Sequence, residues 1–227
     1  MVRPLFKTVL LLAACACVAA CGGGSSSSSS APPATSTSSA TTDPATATTS
    51  SDTVLGYEGM PIEQGPELAS PSSTGTGTVD GISCAPLEQL AYHIHAHLAV
   101  YLNGSLASLP AGIGIPGSQQ IPYHGGIAAY GGQCIYWLHT HTNDGVIHIE
   151  SPTQTVYSLG EFFDEWQQPL SSTQVAGASG PVSAIVDGKP WTKSPRLIPL
   201  LPHADIQLDV GSPKVPFQQV SWGASNL

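Results

Sequence analysis

Apolar and polar positions alternate strictly over Tyr92 to Leu102, YHIHAHLAVYL, which predicts a strand. Tyr92, Ile94, Ala96, Leu98, Val100 and Leu102 fall on one face, and His93, His95, His97, Ala99 and Tyr101 on the other. The Asn103-Gly104 pair that follows suits a tight turn with positive φ at both central residues, so a hairpin should return through Leu106 to Leu109. A second period-two stretch, Ile135 to Glu150, reads IYWLHTHTNDGVIHIE: a strand, an Asn-Asp-Gly turn and a returning strand. His139 and His141 share one face of its first strand, and His148 and Glu150 one face of its second. A turn at Asp144-Gly145 would set His141 opposite His148 and His139 opposite Glu150. Moving the turn to Asn143-Asp144 shifts these pairings but keeps all four groups on one face.

Further along, Ser158-Leu159-Gly160-Glu161 matches a capping box and opens a short helix through Phe162, Phe163 and Trp166, ended near Pro169. Val182 to Val186 and Lys189 to Trp191 flank a turn at Asp187-Gly188, and Ile198 to Leu201 and Ile206 to Val210 complete the strands. Pro110 to Pro122 and His124-Gly125-Gly126 read as irregular connections. The expected fold is α+β, a mostly antiparallel β-sheet with one short helix, in a single domain over residues 79–227.

The chain ahead of this domain has a different character. Arg3 and Lys7 precede an apolar run, Val9 to Ala20, too short to span a bilayer as a stable helix. Val18-Ala19-Ala20-Cys21 resembles the lipobox of bacterial lipoproteins, which implies a signal peptide over residues 1–20 and a lipid on Cys21. Export and anchoring in the cell envelope follow, in the outer membrane if the host is Gram-negative. Residues 21–53 are nearly all Ser, Thr, Ala and Pro, cannot bury enough apolar surface to order, and read as a tether. Residues 54–78 fit either an extended arm over the domain or a disordered segment.

Composition narrows the function. The net charge is −9 with only six Lys and Arg, so there is no basic patch to meet nucleic-acid phosphates. Of five Cys, Cys84 and Cys134 alone lie beyond the leader and its lipobox; an even pair in an exported chain predicts a disulfide. The rival role for Cys134 is a metal ligand beside His139.

Six of the eight His lie in the two alternating segments, and imidazole with carboxylate suits zinc, copper, nickel or iron. Same-face neighbours on a strand are about 6.7 Å apart, whereas His93 and His97 would be about 13 Å apart, too far to share an ion. The expected ligands are therefore His95, His97, His139 and His141, with His148 completing this site or a second one. Glu150 is a further ligand or an acceptor that fixes an imidazole tautomer, and His93 ranks last of the six histidines as a ligand. Zinc or copper(II) fits best, with iron or manganese behind.

The motifs YHIHAHLAVYLNG, LHTHTNDGVIHIESP and YSLGEFFDEW together resemble an uncharacterised family of exported bacterial and archaeal proteins, over most of the chain from Val79 onward. That resemblance implies no activity. The expectation is a lipid-anchored envelope protein that binds a divalent transition metal; a metalloenzyme and a metal-free binding or scaffold module are the alternatives.

Overall fold

The eleven-residue strand Tyr92–Leu102 is the axis of the domain. The computed structural model of the chain describes residues 53–71 and 75–227. One edge of the axial strand pairs in parallel with Asp205–Val210, His97 lying opposite Asp205 and Leu102 opposite Val210. Its other edge is divided: Tyr92 to His97 pair antiparallel with Val146–Ser151, and Val100 to Leu102 with Ser105–Ala107. Leu138–His139 lies outside Val146–Ser151, and Val182–Val186 followed by Lys189–Trp191 continue the sheet on the far side. This is a seven-stranded, mostly antiparallel sheet with a single α-helix among the described residues, the α+β architecture expected.

The alternation works as the pattern demands. Ala96, Leu98 and Val100 are fully buried, and with Ile147, Ile149, Leu138, Ile206 and Leu208 they form the apolar face. The helix Leu159–Glu165 closes this core with Phe162, Phe163 and Trp166, all fully buried. Its start is the capping box: Glu161 N–H donates to Ser158 Oγ and Ser158 N–H to Glu161 Oε2. The helix ends at Trp166, three residues short of Pro169.

The opposite face of the sheet is polar yet also buried, because two segments lie over it. Residues 53–64 cross the histidine half, where Glu63 N–H donates to Asn143 O and Met60 is fully buried. The C-terminal segment covers the other half. The Val215, Gln218 and Val220 amides donate to Asp209 Oδ1, Gln207 Oε1 and Asp205 Oδ2, so backbone supplies one partner to each side chain of this buried polar row.

Asn103-Gly104 and Asp187-Gly188 make their two-residue turns with positive φ at both positions. Another such turn, His124-Gly125, joins Gln119–Tyr123 to Gly126–Tyr130, where a loop was expected. That hairpin is mostly exposed, so no alternation marked it.

The 135–150 stretch departs from the expected tight hairpin. Ile135–Tyr136 pairs with Cys84 and Ala85 in a separate small sheet, and only Leu138–His139 pairs with Val146–Ser151. The register is His139 opposite His148, that of a turn at Asn143-Asp144, not His139 opposite Glu150. The intervening loop is held open by other partners. Ala129 N–H donates to His141 O, Asn143 N–H to Ile127 O, and Leu98 N–H to Gly145 O, which removes these groups from any hairpin ladder.

Cys84 and Cys134 form the predicted disulfide, which leaves neither sulfur as a metal ligand. The expected signal peptide, the expected lipidation site Cys21 and the expected tether through residue 52 lie outside the described residues.

Candidate metal centre

Register builds the centre. His95 stands opposite His148 and His148 opposite His139, three imidazoles abreast across three strands, with His93 opposite Glu150 one step along. Directly opposed side chains begin about 5 Å apart, so their rings must meet. Ring centroids are 4.6 Å apart for His95 and His148 and 5.3 Å for His139 and His148. His141, just beyond the strand, turns back onto the row, its ring 4.4 Å from that of His148 and 4.7 Å from that of His139. The donor atoms of His139, His141, His148 and Glu150 all lie within 4.8 Å of one another, and so do those of His93, His95 and His148.

His139 is fully buried, and its Nδ1–H donates to Tyr136 O at 2.9 Å. That bond fixes the tautomer and leaves the Nε2 lone pair facing inward, 3.1 Å from His141 Nε2 and 3.9 Å from Glu150 Oε1. Burial, and then the charges of His141 and His148, holds His139 well below the usual histidine range. Burial, and then the charge of His148, takes His141 down to about 4 and His95 down to about 3. These three imidazoles are neutral at neutral pH, the form a metal requires.

His148 behaves differently. Burial by itself would lower it, but Glu150 Oε1, 3.5 Å from its Nδ1, and Glu58 Oε1, 3.2 Å from its Nε2, outweigh that and raise it to about 9. Burial likewise works to raise Glu58, and the contact with His148 outweighs it, leaving the carboxyl below its ordinary value. A cation between these two carboxylates is therefore already favoured, and a proton on His148 fills that role in the absence of metal.

Sequence reading found His95, His139, His141, His148 and Glu150, which converge here. Of the remaining two candidates, His93 joins a donor group, ranked last though it was, and His97 stands apart from both. His97 stands opposite Val146 on one side and Asp205 on the other. Its Nε2–H donates to Asp144 O at 3.1 Å and its Nδ1 lies 3.7 Å from Asp205 Oδ1, away from both donor groups. His93 instead reaches Glu150 Oε1 at 3.2 Å. The register decides both outcomes: His148 sits level with His95, which sets Glu150 level with His93 and Val146 level with His97.

Two carboxylates were not foreseen. Glu58 arrives from the segment over the polar face, and Glu88 Oε1 lies 3.4 Å from His141 Nε2. Neither belongs to a periodic stretch, so no local signal pointed to them. His124 and His203, expected to be ordinary residues, occupy a hairpin turn and a stack on Trp222.

Several donors here are buried without hydrogen-bond partners: His95 Nε2, Glu58 Oε2 and Glu150 Oε2. Leaving such a group unsatisfied costs about 1–3 kcal/mol, and a divalent cation among them would relieve that cost. Three imidazoles and a carboxylate complete a tetrahedral set for zinc and also suit copper(II). Buried His and Glu groups of this chain could thus hold a metal ion. No family model, curated protein or solved structure matches the chain, so its chemistry is read from this geometry alone.

Proposed function

We propose that this chain is an exported, lipid-anchored envelope protein that holds a divalent transition metal, zinc or copper, through His139, His141, His148 and Glu150. The observation that carries the metal reading is the pair of Nε2 atoms of His139 and His141, 3.1 Å apart, with the His139 tautomer locked so that its lone pair points at its neighbour. Two neutral imidazoles facing each other in this way gain most from a shared cation. Both domain cysteines, Cys84 and Cys134, are bridged and offer no thiolate, which supports a hard-to-borderline ion over copper(I). Export is supported by that disulfide, which persists in oxidising compartments, and by the apolar leader ending at Cys21. The tether that follows would hold the domain off the membrane surface.

Elemental analysis of the purified domain after growth in zinc- and copper-supplemented medium tests the reading. Wild type should carry about one equivalent or more, and His139→Ala/His141→Ala should lose the metal of this set. Wild type with less than about a tenth of an equivalent of any transition metal would refute it.

A further inference from the structure

The donors form two sets with one member in common. His139, His141, His148 and Glu150 make the first, and His93, His95 and His148 the second. His95 and His139 flank His148 from opposite sides, on different strands. Metal–nitrogen bonds are only about 2.0–2.1 Å long, so an ion bonded to His139 and His141 leaves the outer imidazoles unserved. His95 Nε2 is buried and has no partner, although His95 is only 6% exposed. Glu150 lies along the seam. Its Oε1 is 3.2 Å from His93 Nε2, 3.5 Å from His148 Nδ1 and 3.9 Å from His139 Nε2, while Oε2 is buried and unpaired.

The geometry points to a second divalent transition-metal ion beside the first, held by His93 and His95, with Glu150 and His148 as the donors the two ions share, His148 bridging through Nδ1 and Nε2 as an imidazolate whose ring protons are released to solvent as the ions bind. This inference rests on the metal reading above and extends it to a two-ion centre. The two positions differ in character. The first has four protein donors, which fills a tetrahedral shell. The second has His93 and His95 of its own and draws on shared groups, so a coordination position remains for water or a small anion. Access is available there, since the His93 side chain is 39% exposed while that of His139 is fully buried. The inner ion is thus the retained one, and the outer ion is exchangeable and open to ligands.

Titration of metal-stripped full-length protein with zinc, followed by elemental analysis after gel filtration, separates the outcomes. Two equivalents in wild type and one in His93→Ala/His95→Ala are expected, the double variant retaining the tighter one. One equivalent in wild type would overturn the two-ion centre and leave the single-ion reading standing. Essentially none would overturn both. Two equivalents retained by His93→Ala/His95→Ala would place the second ion elsewhere and defeat the assignment. Copper(II) supplies a readout that needs no variant. The second equivalent should give a spin-coupled paramagnetic resonance spectrum, and added azide should produce a new charge-transfer band. Two magnetically isolated copper signals would show that the ions are not neighbours and would defeat the inference.

Discussion

Gly114→Ala would test how the backbone holds His139 in place. Gly114 adopts φ +71°, and a Cβ there would stand 2.3 Å from Leu138 O and 3.0 Å from His139 Cβ. An ordinary C···O contact is about 3.3 Å, so one of the two backbones must move by about 1 Å. Neither is free to move. Tyr136 N–H donates to Gly114 O, Thr140 N–H to Ile113 O, and Gly112 N–H to Thr140 O, so residues 112–114 buttress the chain that carries His139. The left-handed backbone conformation costs a non-glycine residue about 1–2 kcal/mol. Overpacking adds about 1–3 kcal/mol, for a total loss of about 2–5 kcal/mol. Metal–ligand distances tolerate only about 0.2 Å of error, so zinc affinity should fall by about tenfold to a hundredfold. Gly131→Ala is the matched control: φ is +72°, with nothing within 4 Å of the added Cβ. It should show the conformational cost alone and leave zinc affinity unchanged. Urea unfolding of metal-free protein and chelator competition for zinc read the two quantities. A Gly114→Ala protein with wild-type midpoint and affinity would refute the account of how the site is supported.

Replacing both bridged cysteines, Cys84→Ser/Cys134→Ser, removes a cross-link spanning 50 residues. The chain-entropy model predicts a loss of about 4 kcal/mol. With a denaturant slope of about 2 kcal/mol/M, the urea midpoint should drop by about 2 M, and an unchanged midpoint would contradict this. Glu165 is 2% exposed, and burial, reinforced by Glu161, pushes its carboxyl well above the ordinary 4.5. The native state then binds this proton more tightly than the unfolded state. Stability is unaffected below the unfolded value and declines as pH rises towards the folded one. Glu165→Gln should therefore raise the melting temperature more at pH 8 than at pH 5, and an equal shift at both would speak against a protonated buried carboxyl.

Much of this protein was legible from residue order. The strict alternation of Tyr92–Leu102 determined which side chains enter the core, because a strand's side chains can only point to one face or the other. The Ser158–Glu161 box set the start of the helix, since its hydrogen bonds close over four residues. Residue type alone identified imidazole and carboxylate as the chemistry. Which imidazoles share an ion was decided elsewhere. Period-two patterning fixes a face but leaves register open by steps of two, and one such step separates His93 from His95 and His95 from His97. Here Ala129 and Leu98 donate to carbonyls of the 141–145 loop and Ile127 O accepts from Asn143 N–H, and that competition accompanies the observed match of His148 with His95 and His139. Glu58 and Glu88 reach the histidines only because distant segments pack over them. Such contacts have no local period, so only the assembled chain reveals them.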